Sequence, residues 1–426
     1  MLDLKFIEEN IMLVKEGIRK KHFNVDLDKL MQLNKDRKNL IRESESIKSI
    51  KNTTSKEISK LSKEEKEDRL SQMKELSIRE KEIEQMLSEI SREMQQILLT
   101  IPNIPDDSVP EGKDDKENVE IERHGNIRKK EDFENFKDHV ELGLSLDIMD
   151  FSRATKIAGS RTYYLKNEGV LLQSAIMRFA LDQLIKKGFV PFYPPFLVKE
   201  DAMIGTGYFP IGKEQSYSVE KDDLFLIGTA EVPLVSYHYD EILDESILPL
   251  TYAGYSSCFR REAGTYGKDT RGLYRIHQFE KIEQVIICKN DKQESERFHN
   301  FILNNSRELV EKLGLPYRVV LVCSGDLGLG QIKKHDIECW MPSRDAYGET
   351  HSCSSFYDFQ SRRSKIRVKA KDGSLYFPFT LNNTAIASPR IFIPILEMNQ
   401  QPDGSVKIPE VLVSYMNGIE YIKPKK

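Results

Sequence analysis

The stretch YAGYSSCFRREAGTYGKDTRGLYRIHQFEKIEQVIIC, Tyr252 to Cys288, decides the reading of the fold. Two strand-like runs, Tyr252–Glu262 and Arg275–Cys288, flank a glycine-rich charged connection, Ala263 to Tyr274. Hairpin loops usually hold roughly two to five residues, so a connection this long is a functional loop rather than a plain turn. The strand period of two then sorts the side chains. Arg260 and Glu262 fall on one face of the first run, and Arg275, His277, Phe279 and Glu283 on one face of the second. Arginines and carboxylates beside an aromatic ring make a poor core face and a good floor for an anionic, planar ligand. The plainer alternative is an antiparallel sheet whose solvent face carries ion pairs.

Outward from this hairpin, Leu172, Ala175, Ile176, Phe179 and Leu184 have helical spacing, with Gly188 placed to end the helix. Phe189–Val198 and Tyr317–Val322 read as further strands. The strands are joined by hairpins and long connections rather than a regular βαβ alternation, which predicts an α+β body built on a mainly antiparallel sheet flanked by helices. Neither GxGxxG nor GxxxxGK[ST] occurs, which argues against a dinucleotide fold and a P-loop.

The first hundred residues have a different texture. From Asp26 to Ile101 there is no proline or glycine, and apolar residues recur every seven positions: Leu33, Leu40 and Ile47, then Leu76, Ile83, Ile90 and Ile97. That is the seam of a two-stranded coiled coil. The register is lost between Asn52 and Glu65, where the chain is expected to fold back into an antiparallel arm about 50 Å long. The outgoing half, Lys29–Lys63, carries ten Lys/Arg against four Asp/Glu, and the returning half, Glu64–Glu93, six against ten. Solvated helix faces account for such charge. A basic helix lying along a phosphate backbone accounts for it as well. The expected layout is a helical arm over 1–110 (coiled coil about 26–101), a Pro/Asp/Gly/Lys-rich linker over 111–135, and a compact body over 136–426.

Composition sets limits on partners. The chain has 426 residues, 39% hydrophobic and 31% charged, with a net charge of −4, so RNA binding has to come from local patches. Five scattered cysteines without a CxxC pair disfavour a disulfide framework or a cysteine-rich zinc site and suit a reducing cytosol. No secretory or transit pattern and no membrane-length apolar run is present, so the expectation is a soluble cytoplasmic protein with no membrane partner.

FRRE at Phe259–Glu262 followed by RIHQFEKIE at Arg275–Glu283 resembles motif 2 of class II aminoacyl-tRNA synthetases. GFVPFYPPFLV, with Pro195, resembles motif 1, and TLNNTAIASPRIFIPILE, Thr380 to Glu397, resembles motif 3, with Arg390 opening a buried helix and Pro389 suiting its start. Ala385 and Ala387 stand where many class II members have glycine. DFSRATKIAGSR (Asp150–Arg161), GTGYFP (Gly205–Pro210), GTAEVPL (Gly228–Leu234), DIECWMP (Asp336–Pro342), ETHSCSSF (Glu349–Phe356) and LEMNQQPDGSVKIPEVL (Leu396–Leu412) narrow the likeness to the seryl-tRNA synthetases, over nearly the whole chain.

The resemblance implies a serine-tRNA ligase. It would activate L-serine with ATP, release pyrophosphate, and load the serine onto tRNA(Ser), with tRNA(Sec) left open. It would work as a homodimer through motif 1, with the arm gripping the long variable arm of the tRNA. Arg260 would bridge the serine carboxylate and the α-phosphate. Phe279 would stack on the adenine with Arg390 opposite, reaching the γ-phosphate. Glu262 would lie at the adenine and Arg275 at the pyrophosphate, with Arg261, Ile276, Thr350 and His351 at further ATP-contacting positions. Glu349 and Ser352 match the magnesium positions, and because they are three apart they need a bend or bulge to share a strand face. Thr229, Ala230, Glu231, Glu283, Asn382 and Thr384 would form the serine pocket, with Thr229 and Glu231 facing it together if their segment is extended. His277 reads as a structural hydrogen-bonding residue, because carboxylate attack on ATP needs no general base. A rarer branch of the family carries an active-site zinc. The TAE and motif 3 segments here resemble the zinc-free branch, so no zinc is expected. The competing readings are a catalytically inactive synthetase-like RNA-binding protein, an enzyme that charges a carrier protein, and a purely structural coiled coil.

Overall fold

The computed structural model describes residues 1–57, 62–264, 269 and 271–425. Its contacts divide the chain into two compact units, one of Leu2–Arg19 with Phe23–Ile101 and one of Met1, Lys20–His22 and Pro102–Lys426.

In the first unit α1 (Leu27–Glu57) and α2 (Lys63–Leu98) pack along one another. Lys29 pairs with Glu93, and Arg79 with Glu43 at 2.7 Å, so the two helices run antiparallel. Ser62 and Glu65 cap α2 reciprocally, with Ser62 N donating to Glu65 Oε2 at 2.9 Å. On α2 the heptad reading holds, with Ile83 and Met94 buried and Leu76, Ile90 and Ile97 half-buried. On α1 it holds too, with Leu30 and Ile47 buried and Leu33 and Leu40 half-buried, but Ile50 is exposed and the polar Asn34 and Ser44 are buried beside them. A polar residue in a seam is invisible to a count of apolar positions. Asn34 Nδ2 donates there to Glu8 at 2.6 Å, while its Oδ1 has no partner among the described residues. The expected reversal at Asn52–Glu65 falls partly on 58–61, outside the described residues. The helices themselves persist to Glu57 and resume at Lys63.

The second unit is built on an eight-stranded sheet. Its strands are β1 (Val119–His124), β2 (Val190–Phe192), β3 (Leu250–Phe259), β4 (Gln278–Cys288), β5 (Tyr317–Leu321), β6 (Lys333–Met341), β7 (Ala346–Tyr357) and β8 (Phe379–Ser388). They lie in the order β1-β5-β6-β7-β8-β4-β3-β2, antiparallel throughout except for the β2–β3 pair. One face is covered by α3 (Glu168–Lys186) and α5 (Lys292–Lys312), with the short α4 (Glu231–Ser236) standing near β3 and β4. Leu172, Ile176 and Phe179 of α3 and Phe298, Ile302 and Leu309 of α5 share one core with Ile282 and Ile286 of β4. Burial of that apolar surface stabilises the sheet at about 25 cal/mol per Å². Gly188, with φ +89, follows the end of α3 as its spacing predicts.

Three sequence readings need correction here. Phe189–Val198 is two strands rather than one, β2 and Leu197–Lys199, interrupted at Pro194 and Pro195, which offer no amide donor. The stretch read as a linker, 111–135, supplies β1, the edge strand paired with β5, and residues from Pro102 onward belong to the body unit. Its high charge marks an edge strand with mostly exposed side chains, not a tether. Pro389 does not begin the motif 3 helix. The peptide bond before it is cis, and the helix, α6 (Phe392–Met398), starts three residues later. Among the described residues no helix is long and apolar enough to cross a membrane.

Candidate active site

A cavity of about 270 Å³ opens on the sheet face opposite α3 and α5, lined by residues of β4, β6, β7, β8 and the connection before β4. Pleating carries Phe279, Lys281 and Glu283 of β4 to it, while Ile282 and Ile286 point into the core. The period-two reading therefore holds within the strand. It fails beyond it, because β3 stops at Phe259 and β4 begins at Gln278. Arg260, Glu262 and Arg275 reach the cavity from irregular chain, with Glu262 in the left-handed region at φ +54. His277 does not line the cavity. Its Nδ1 lies 3.0 Å from the carbonyl of Arg260, which fits the structural role expected of it.

At one end of the cavity Glu231, Glu283 and Thr229 converge. Thr229 Oγ1 donates to Glu283 Oε2 at 3.2 Å, and Lys281 Nζ donates to Thr229 Oγ1 at 2.7 Å and pairs with Glu283. Glu231 accepts from the Tyr208 hydroxyl at 3.0 Å and from Gln360 Nε2 at 2.7 Å. Burial, reinforced by Glu283, pushes the Glu231 carboxyl up to about 7. The expectation of an extended Thr229–Glu231 segment is not met. Ala230 is helical, and the Glu231 amide, opening α4, donates to Thr229 Oγ1 at 3.2 Å. The two side chains converge because a helix turn brings them round. Opposite Glu283, a bulge in the β4–β8 pairing sets Thr384 as its partner, and Asn382 lines the same cavity.

At the other end, Arg390 donates to the carbonyls of Glu349 (2.7 Å) and Tyr274 (3.1 Å), and its guanidinium lies 4.5 Å from the Tyr274 ring centre. Arg275 donates to Glu262 Oε2 at 2.5 Å. Burial pushes the Glu349 carboxyl up, but the cations of Lys334, Arg390, Arg260 and Arg275 outweigh this and hold it below the ordinary carboxylate value. The bend that Glu349 and Ser352 require is present. In the β6–β7 ladder Ile337 faces His351 and Glu338 faces Glu349, so Thr350 is an extra residue. That bulge puts Glu349 and Ser352 opposite Glu338 and Asp336, two apart on the partner strand, and so on one face. His351, pushed down to about 4 by burial, is neutral and leaves its Nε2 without a partner among the described residues.

Arg260 stands between the two ends, 5.2 Å from the Phe279 ring centre, with its charge felt at Tyr208 on one side and at Glu349 and Glu262 on the other. Of the expected site residues, Thr229, Ala230 and Arg261 do not line the cavity. Thr229 and Ala230 lie buried behind its wall, and Arg261 is exposed, its backbone amide bonded to Gln215. Residues 265–268 and 270 of the long connection lie outside the described residues. Sequence reasoning missed Tyr208, Lys281, Lys334 and Gln331, all of which line the cavity. Lys281 was legible, since it sits midway between Phe279 and Glu283 on the same strand face. Tyr208 lies in the GTGYFP segment, whose resemblance marked the stretch but not this residue's role, and Lys334 and Gln331 come from distant segments that carried no local signal.

Two family models match the chain, the seryl-tRNA synthetase N-terminal domain over residues 1–105 and the class II tRNA synthetase core domain (G, H, P, S and T) over residues 216–399. The serine–tRNA ligase of Caldicellulosiruptor saccharolyticus is 48% identical over 426 residues, 99% of this chain and 100% of its own. The chain belongs to the seryl-tRNA synthetase family. Its serine–tRNA ligase relative from Deinococcus radiodurans is 43% identical over 99% of both chains. The family's fold is matched over the full length as well. The crystal structure of seryl-tRNA synthetase from Pyrococcus horikoshii complexed with ATP superposes with a TM-score of 0.93 at 39% identity, covering 100% of both chains. The cytoplasmic serine-tRNA ligase of Naegleria fowleri in complex with AMP gives 0.88 at 32% identity, covering 100% of this chain and 99% of its own.

Proposed function

We propose that this chain is a serine-tRNA ligase. It joins the serine carboxylate to the α-phosphate of ATP with release of pyrophosphate, then passes the serine to the 3′ end of tRNA(Ser). The observation that carries this reading is a single cavity with a buried carboxylate–hydroxyl end, a cation-rich end, and Arg260 between them. Such a cavity suits a zwitterionic amino acid bearing a hydroxyl beside a polyphosphate. Positioning and charge stabilisation do most of the work in this chemistry.

In this assignment Arg260 spans the serine carboxylate and the α-phosphate, since its planar fork suits both anions. Phe279 and Arg390 hold the adenine, Glu262 contacts it, and Arg275 and Arg390 take the outer phosphates, with Ile276, Thr350 and His351 contributing contacts. Glu231 binds the serine ammonium, while Glu283, Thr384 and Asn382 surround the hydroxyl and Thr229, behind the wall, supports Glu283 through its hydrogen bond. Buried acceptors of this kind reject alanine because they would be left unpaired. The donor set also fits magnesium. Glu349 and Ser352 offer oxygens on one face, and the buried Asp336 behind them keeps its Oδ1 without a partner among the described residues. A magnesium ion held there would screen the phosphate charge. Pairing of two copies through motif 1 is supported by Val190 and Tyr193 beside the sheet edge, 51% and 74% exposed. The basic face of α1 supports a tRNA-binding role for the arm, and on family grounds we place the enzyme in the cytoplasm.

ATP–pyrophosphate exchange with serine, threonine, alanine and glycine supplied in turn tests the reading. Exchange driven chiefly by serine is expected. Folded protein that gives no exchange with any of them, with magnesium present, would leave the arm's RNA binding as the surviving function.

A further inference from the structure

Lys281 lies on β4 between Phe279 and Glu283, and its side chain is 6% exposed against 3% for Glu283. An ammonium shut away from water is retained only if it is paired and hydrogen-bonded. Here it pairs with Glu283 and donates to Thr229 Oγ1 at 2.7 Å, while Thr229 donates to the same Glu283 oxygen at 3.2 Å. The three groups form a closed triangle. Glu231, beside it, takes its hydrogen bonds from Tyr208 and Gln360. The amino-acid end therefore holds two buried carboxylates and one buried ammonium of the protein's own. An incoming amino acid brings one more ammonium. With Lys281 committed to Glu283, the charges balance when the substrate ammonium goes to Glu231, and Glu283 stays available as a hydrogen-bond acceptor.

We propose that Lys281 is a positioning residue that gives the two carboxylates different tasks, fixing Glu283, braced by Thr229 from behind the cavity wall, as the hydroxyl acceptor and leaving Glu231 to bind the substrate ammonium. The proposal rests on the reading of this end of the cavity as the serine subsite. The other titratable groups facing it are Tyr208, Arg260 and Cys258. Burial holds the Tyr208 phenol and the Cys258 thiol above their ordinary values, so Glu231, raised to about 7, is the group here that titrates near neutrality.

The test compares full-length parent, Lys281→Met and Lys281→Arg by serine- and alanine-dependent ATP–pyrophosphate exchange across about pH 6 to 9. ATP binding is followed by calorimetry and folding by thermal melting. Lys281→Met is expected to raise the serine KM by about 10- to 100-fold and lower the serine-over-alanine ratio, with ATP affinity within about twofold. The acid-side inflection in serine KM moves to higher pH, because two carboxylates without their cation hold a proton more tightly. Lys281→Arg, which keeps the charge, returns the inflection to the parent's position. A Lys281→Met protein with the parent's serine KM, selectivity and inflection overturns the proposal. If that variant does not fold, Lys281→Gln, neutral but able to donate, carries the same comparison. A parent that binds ATP yet shows no serine-dependent exchange is a different failure, which removes the serine reading and the proposal with it.

Discussion

At Glu231, burial and the proposed ammonium binding pull one residue in opposite directions. A carboxyl raised to about 7 in the folded chain is favoured there in its neutral form. Its contribution to stability is full below the ordinary carboxylate value and is lost as pH rises through about 7. Binding a substrate ammonium needs the ionised form, so serine KM is expected to fall as pH rises through the same range. Glu231→Gln should flatten that dependence and raise serine KM by about 10- to 100-fold. Measured by melting, it should be more stable relative to the parent at about pH 8 than at about pH 5. Arg260 belongs to the same scale. Arg260→Ala should lower kcat for exchange by about 100- to 1000-fold, as loss of a preorganised charge-stabilising donor does, while Arg260→Lys recovers only part of it. Single-turnover adenylate formation separates this from a loss of binding.

At the scale of elements, the site depends on irregularities in otherwise regular strands. The extra residue at Thr350 turns Glu349 and Ser352 to one face, and the bulge near Ile282 sets Thr384 against Glu283. The other device is close approach. A Cβ on Gly254, the β3 partner of Glu283, would stand 2.7 Å from Leu234 Cδ1 and 2.8 Å from Ala230 Cβ. Only glycine lets α4, which carries Glu231, lie so near the sheet. Gly254→Val is expected to cost about 1–3 kcal/mol and lower Tm accordingly. Because α4 must shift, serine KM should rise while ATP affinity, read by calorimetry, changes little.

For the whole molecule, the division of labour between the two units is the testable matter. Ion pairs such as Lys51–Glu80, 2.8 Å, and Arg79–Glu43 use some of the arm's charge internally. Lys35 and Arg42 are exposed and seven residues apart, hence on the same helix face. The double substitution Lys35→Glu, Arg42→Glu should raise the KM for tRNA(Ser) about tenfold or more and flatten its salt dependence, because phosphate contacts act through counterion release. Serine-dependent exchange should stay at the parent's rate. A matching loss of exchange would tie the arm to adenylate formation instead.

What the sequence alone determined is whatever has a local period or a contiguous motif. The α2 seam, the α3 helix with Gly188, the alternation of Phe279 and Glu283, and the FRRE and ETHS segments were all legible because their physics is local. Only the tertiary structure decided which distant segments meet. It placed Asn34 and Ser44 in the α1 seam, made the charged stretch after Pro102 an edge strand, and replaced an extended Thr229–Glu231 segment with a helix turn. It also brought Tyr208 and Gln360 onto Glu231, and Lys334 to the cation-rich end. A polar side chain is buried where its hydrogen bonds and charge can be satisfied, and those partners lie far along the chain, where no local pattern records them.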